Sequence, residues 1–207
     1  VTVSGLEAGD YTVAVKYAGD DNYNAAEVTK GVNVAKANPA LNVIIDSVDY
    51  GNVFTINAVL TGVNNAPLDT NIIVTVNGKN YIVAIVNGKG TFHADKLAAG
   101  SYNFNARFAG SNNYNEVSDS GKFNVYKVDS AIGITVKDIN VGEDAVITVK
   151  LFSDATGELT VTVNGKDYTE TVVNGVANVK VADLKAGTYD VAVKYSGDNN
   201  YNCLLYT

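Results

Sequence analysis

Oxygen-bearing side chains crowd one short loop that occurs three times. It reads Gly-Asp-Asp-Asn-Tyr-Asn at 19–24, Gly-Ser-Asn-Asn-Tyr-Asn at 110–115 and Gly-Asp-Asn-Asn-Tyr-Asn at 197–202. Clustered carboxylate and amide oxygens are the donors that calcium takes, so calcium is a candidate ligand. Against it, Asp20 has Ser111 as its counterpart, and the alternating Asp spacing of a dedicated calcium loop is missing. The plainer expectation is a polar hairpin loop with Tyr23, Tyr114 and Tyr201 folding back as lids. Tyr and Asn also suit contact surfaces, because they combine apolar area with adaptable hydrogen bonds. Asp20, Asp21, Asn22, Tyr23, Asn113, Tyr114, Asp198, Asn200 and Tyr201 are therefore candidate contact residues for a glycan or a protein.

Other chemistries lack partners in the sequence. His93 is the single histidine, and it aligns with Lys180 on the polar phase of its strand. Without a second His, the usual triads and zinc sites are not available. Cys203 is the single cysteine, so no internal disulfide forms and a nucleophile would have no base beside it. The Asn-Gly-Lys turns at 77–79 and 164–166 read as solvated lysines. A Lys–Asn isopeptide staple would need a Lys on the buried phase, and none recurs there. Nothing assembles a nucleophile, a base and an oxyanion donor, so an enzyme is not expected, nor any cofactor apart from the calcium alternative.

The bulk properties narrow the classes further. A net charge of −7 and a pI near 4.6 repel phosphate backbones and disfavour nucleic acid. Hydrophobic residues make up 46%, enough for a core, yet no apolar run is long enough to span a membrane. No Met and no basic-then-apolar leader occur, which reads as a segment of a longer chain whose leader or anchor would lie outside it.

The elements that must position these loops follow from an internal repeat. LEAGDYTVAVKYAGDDNYN (6–24) returns as LAAGSYNFNARFAGSNNYN (97–115) and LKAGTYDVAVKYSGDNNYN (184–202). The offsets are 91 (97 − 6) and 87 (184 − 97). The early part of the unit keeps the 91 offset, as in Gly51 and Gly142, so the four-residue difference falls between Leu60 and Ile72. Length change confined to a Gly/Asn/Pro stretch marks a surface loop. The chain then divides into the last strands of one repeat (1–36), a complete repeat (37–127) and a repeat lacking its final strand (128–207), with joints near 35–39 and 126–130.

Apolar residues alternate strictly through Tyr11, Val13, Val15 and Tyr17, and through the copies at 102–108 and 189–195. Period two with one polar face predicts strands packed on one side. The pattern, with Asn-Gly hairpin signals at 77–78, 87–88, 164–165 and 174–175, gives about seven antiparallel strands in roughly 90 residues. The fold class is all-β, as tandem immunoglobulin-like β-sandwiches. Leu-x-x-Gly-x-Tyr before the penultimate strand predicts a tyrosine corner at Tyr11, Tyr102 and Tyr189, with the ring in the core and the hydroxyl on backbone.

The Leu-x-Ala-Gly-x-Tyr and Tyr-x-Gly-Asp-x-Asn-Tyr-Asn strings, with the internal Val-Asn-Gly-Lys-x-Tyr, resemble the Ig-like repeats of large prokaryotic surface proteins, above all adhesin-like proteins of methanogenic archaea. The resemblance implies an extracellular, cell-surface array with a structural and adhesive role, whose partners are its neighbouring repeats and a host or microbial surface glycan or protein. The alternatives are a carbohydrate- or protein-binding module acting through the Tyr/Asn loops, or an accessory domain of a larger extracellular enzyme. Open strands at both ends predict head-to-tail self-association, or fraying of residues 1–36.

Overall fold

The computed structural model describes residues 1–206, and Thr207 lies outside the described residues. The chain forms two compact units. Val1–Asp46, Phe54–Ala94 and Tyr102–Phe123 make the first. Ser47–Val53, Asp95–Ser101 and the chain from Asn124 onward make the second. The units therefore do not follow the sequence repeats.

The chain opens with a two-stranded antiparallel ribbon, β1 (Gly9–Tyr17) and β2 (Ala26–Val34), registered from Gly9↔Val34 to Tyr17↔Ala26. A three-stranded sheet follows in the order β3 (Ala40–Ile45), β5 (Val53–Thr61), β8 (Lys89–Lys96). A five-stranded sheet has the order β4 (Val48–Asp49), β10 (Val117–Tyr126), β9 (Gly100–Phe108), β6 (Thr70–Val76), β7 (Lys79–Ile85). Alternation puts Phe54, Ile56, Ala58 and Leu60 of β5 and Ile72, Val74 and Val76 of β6 in the core, all nearly inaccessible. The loop after β5 holds a 3-10 turn, Val63–Asn65, within the stretch where the repeats differ in length.

In the second unit, β11 (Gly133–Thr135), β12 (Ala145–Lys150) and β15 (Val176–Val181) form one sheet. β14 (Lys166–Thr171), β13 (Glu158–Val163), β16 (Val191–Tyr195) and β17 (Leu204–Tyr206) form the other. Ile147, Val149, Leu159, Val161, Val179, Val193 and Tyr195 fill the core. Each such burial contributes about 1.5–3 kcal/mol. Two packed sheets with consecutive strands exchanged between them define the immunoglobulin-like β-sandwich. All four Asn-Gly pairs take positive φ at both residues, the geometry of a tight hairpin turn.

Two expectations need correction. The third repeat does have the start of a final strand: Leu204–Tyr206 pair with β16 from Tyr195↔Leu204 to Val193↔Tyr206. The bare edge of β16 offers unpaired N–H and C=O groups, and three residues suffice to meet them. In β1 the alternating apolar residues do not pack on one side: Val13 is 49% and Val15 60% exposed. The described residues give the ribbon no opposing sheet.

Candidate functional site

The Leu-x-x-Gly-x-Tyr turn is held by its tyrosine. Tyr11 Oη donates to the Glu7 carbonyl at 2.9 Å, and Tyr189 Oη donates to the Lys185 carbonyl at 3.0 Å. Tyr102 stacks on Phe123 with ring centroids 5.7 Å apart. All three rings are half-buried. A peptide group is planar and trans, so fixing its carbonyl aims its N–H the opposite way. The Tyr11 bond therefore aims the Ala8 N–H, and the Tyr189 bond the Ala186 N–H.

The Tyr/Asn loop is closed by its own acid. Asp20 Oδ1 accepts the N–H groups of Asn22 and Tyr23, both at 2.9 Å. Asp198 Oδ1 accepts those of Asn200 and Tyr201 at 2.7 and 2.9 Å. Ser111 does the same more weakly, accepting Asn113 N–H at 3.4 Å. These are side-chain-to-backbone turns of the kind Asp and Ser favour. The leading glycine is required: Gly197 has φ of 77°, and a Cβ there would lie 2.8 Å from the Tyr201 carbonyl oxygen.

These bonds set the charge of the loop. Burial works against the Asp198 carboxylate, but N–H bonds from Thr156, Asn200 and Tyr201 outweigh it and hold its pKa below the ordinary value. The Tyr17 hydroxyl and the Asn22 N–H lower Asp20 in the same way. Asp21 has no counterpart role in the other copies, where Asn112 and Asn199 stand. Among the described residues, no group of three or more His, Cys, Asp or Glu gathers to hold a metal ion.

Loop and turn meet, one from each of two consecutive repeats. Asn113 Oδ1 accepts the Ala8 N–H at 2.9 Å, and Asn200 Oδ1 accepts the Ala99 N–H at 3.0 Å. The linker between repeats is gripped as well. Lys36 Nζ donates to the Ser111 carbonyl at 2.7 Å, and Lys127 Nζ donates to the Asp198 carbonyl at 2.5 Å. Ala37 exchanges backbone bonds with Asn113 and Asn115, both at 2.9 Å. Val128 does so with Asn200 and Asn202, at 3.2 and 2.9 Å. Asn115 Nδ2 donates to Asn38 Oδ1 at 2.7 Å, and Asn202 Nδ2 to Asp129 Oδ1 at 2.9 Å. The first set lies wholly within the first unit and the second wholly within the second. One clasp is thus built twice, bond for bond.

The tyrosine lids distinguish the copies. Tyr114 lies over Gly62, where a Cβ would come within 2.3 Å of its hydroxyl oxygen. Tyr201 is buried, and its hydroxyl donates to Asp154 Oδ1 at 2.6 Å. Tyr50 Oη donates to Asp154 Oδ2 at 2.7 Å, and its ring meets Tyr201 edge-on at 5.5 Å. The Tyr201 hydroxyl, then that of Tyr50, holds the Asp154 carboxyl below the ordinary value. Burial, then Asp154, pushes the Tyr201 phenol up. Tyr23 is 71% exposed.

Of the nine contact candidates, Asn113, Tyr114, Asp198, Asn200 and Tyr201 are engaged in clasps, whereas Asp20, Asp21, Asn22 and Tyr23 stand on a loop that grips no turn among the described residues. Sequence reasoning missed Ala8, Ala99, Lys36, Lys127, Tyr50 and Asp154. A signal was there: turn and loop recur in step, with Ala8–Asn113 and Ala99–Asn200 separated by 105 and 101 residues. The difference of four is the loop-length change inside the intervening repeat.

The remaining candidates sit apart. His93 Nδ1 lies 3.0 Å from Thr55 Oγ1 on an exposed face, and Cys203 is exposed. Lys79 and Lys166 lie over the rings of Tyr81 and Tyr168. Among the described residues, no helix is long and apolar enough to cross a membrane.

No family model matches the chain, and no curated protein does. Solved structures with partial similarity include two adhesins and fibronectin(III)-like modules. The Yersinia pseudotuberculosis adhesin InvE is 14% identical with a TM-score of 0.44, over 82% of this chain and 59% of that one. A bacterial ice-binding adhesin is 17% identical with a TM-score of 0.37, over 95% and 70%. Fibronectin(III)-like modules of Clostridium thermocellum CbhA are 13% identical with a TM-score of 0.31, over 81% and 90%. The chain thus spans 59% of the InvE structure's length. At these identities and TM-scores the likeness carries no argument about this chain. The class defined by the chain's own sheets is the immunoglobulin-like β-sandwich.

Proposed function

We propose that the chain is a non-catalytic structural segment of an extracellular, adhesin-like surface stalk, in which each repeat clasps the one before it. The duplicated clasp carries this reading. A short linker alone leaves torsional freedom at a joint. Here the linker peptide is bonded into the loop of the following repeat, and the same loop holds the turn of the preceding one. Each bond contributes about 0.5–1.5 kcal/mol net, so a set of them favours one joint geometry by a few kcal/mol. A surface protein needs that stiffness to project a distal binding tip. Residues 37–127 are the full repeat of this design, and both of their ends take part in clasps.

The source suggested by the sequence, a methanogenic archaeal surface protein, belongs to the same reading. The alternative of a glycan- or protein-binding module acting through the Tyr/Asn loops would have to do without Asn113, Tyr114, Asn200 and Tyr201, which are already engaged.

The test is a double variant, Asn113→Ala with Asn200→Ala. Hydrogen exchange should accelerate at the Ala8 and Ala99 amides, and spin-label distance distributions between the middle and third repeats should broaden. Unchanged exchange and unchanged widths would sink the proposal.

A further inference from the structure

The chain holds four Asn-Gly pairs, and the clasps use none of them. Three sit in the same tetrapeptide, Val-Asn-Gly-Lys, at 76–79, 86–89 and 163–166, and the fourth reads Val-Asn-Gly-Val at 173–176. All four asparagines are exposed, with φ between 49° and 52°. In sequence and in turn shape the four are alike. Their glycines are not. Gly78 and Gly165 are exposed, and nothing lies within 4 Å of the place a Cβ would take. Among the described residues, their N–H groups have no hydrogen-bond partner. Gly88 and Gly175 are buried. The Gly88 N–H donates to the Leu68 carbonyl at 3.2 Å, and the Gly88 carbonyl accepts the Leu60 N–H at 2.9 Å. Gly175 repeats both bonds, donating to the Ala155 carbonyl at 3.3 Å and accepting the Leu151 N–H at 2.7 Å. A Cβ on Gly88 would lie 3.0 Å from Pro67 Cβ and 3.1 Å from the Leu60 carbonyl oxygen, so this turn is packed as well as bonded.

We propose that Asn77 and Asn164 are sites of spontaneous deamidation, and that the fold protects Asn87 and Asn174 from the same reaction. The glycine nitrogen gives up its proton to hydroxide and attacks the asparagine Cγ. The side-chain nitrogen leaves as ammonia, and the two residues close into a succinimide ring. Water then opens the ring at one of its two carbonyls. One opening leaves aspartate. The other leaves isoaspartate, in which the main chain runs through the former side-chain carbonyl. In both products an amide and a water have become a carboxylate and an ammonium ion. The asparagine side chains are equally open to attack, so the state of the glycine nitrogen decides the rate. At Gly88 and Gly175 the N–H is already given to a carbonyl, and moving the nitrogen onto Cγ breaks that bond and the packing around it. At Gly78 and Gly165 only the tip of a hairpin has to loosen, and exposed tips open at the lowest cost. Each conversion puts a new negative charge two residues before Lys79 or Lys166. Isoaspartate also adds a backbone carbon to a two-residue turn, which disturbs the Val76↔Lys79 and Val163↔Lys166 pairings that close it.

The test ages the full chain in mildly alkaline buffer and maps it by mass spectrometry over time. Cleavage after Lys79, Lys89, Lys166 and Lys180 places each of the four asparagines in its own peptide. The Asn77 and Asn164 peptides should gain the mass of an amide-to-acid change, as a mixture of aspartate and isoaspartate. They should do so faster than the Asn87 and Asn174 peptides by about ten-fold or more. Ageing in urea should bring Asn77, Asn87 and Asn164, which share their flanking residues, to one rate. The proposal is overturned if all four convert together in the folded chain, or if Asn77 and Asn164 convert only in urea. It is also overturned if Asn87 stays slow in urea, because the fold would then not be what protects it.

Discussion

Tyr11–Tyr17 and Tyr189–Tyr195 read YTVAVKY and YDVAVKY, with Thr12 against Asp190 as the one difference. The first is strand throughout and the second is strand from Val191 to Tyr195, yet they live in opposite surroundings. Val193 and Tyr195 are fully buried, and the Tyr195 hydroxyl donates to the Thr156 carbonyl at 2.7 Å. Val15 and Tyr17 are 60% and 46% exposed, and the Tyr17 hydroxyl reaches only to Asp20 in the adjoining loop. Strand formation is therefore local to this sequence, since pairing with the following strand satisfies half of its backbone. Burial is not local, because it needs a second sheet that only the rest of a repeat supplies.

The largest expected effect tests that contrast directly. Tyr195→Ala should destabilise the second unit by about 3–5 kcal/mol in urea unfolding, through lost contacts and a cavity. Tyr17→Ala should change stability by less than about 0.5 kcal/mol, as exposed substitutions do. Equal costs would break the comparison and mean that the ribbon is packed in solution. Val193→Ala against Val15→Ala sharpens it with smaller side chains, at about 2 kcal/mol against nearly none.

Next in size is the engaged loop against the free one. Asn200→Ala should cost about 1 kcal/mol and expose the Ala99 amide to exchange. Asn22→Ala, at the matching position, should leave the monomer's unfolding curve in place.

Acid should separate the same regions least. Asp154 and Asp198 have lowered pKa values in the folded state, so folding favours their ionised forms. Their contribution is complete above the unfolded value near 3.8 and is lost as pH falls through the lower folded values. The melting temperature of the second unit should stay level down to about pH 4 and then fall. Asp154→Asn should flatten part of that fall. A decline beginning near neutrality would show that other groups control it.

Much of the fold was legible because its signals are local. Alternation through Ile72, Val74 and Val76 and the Asn-Gly pairs announce strands and turns within a few residues. The tyrosine of the turn was legible too, as a motif of fixed spacing. Its use was not, because the N–H it aims belongs to Ala8 or Ala99, and an alanine in a turn carries no side-chain signal. The loop misled in the same manner. Asp20 and Asp198 look like ligand donors in one dimension, whereas each carboxylate already accepts N–H bonds from its own turn.

By itself, then, the sequence determined the strand periodicity, the repeat and the pre-closed loops, all set by interactions within a few residues or between neighbouring strands. Only the tertiary structure decided which apolar faces are covered and which asparagine meets which amide. Those partners lie about a hundred residues apart, and nothing short of the folded sandwich between them brings them within 3.0 Å.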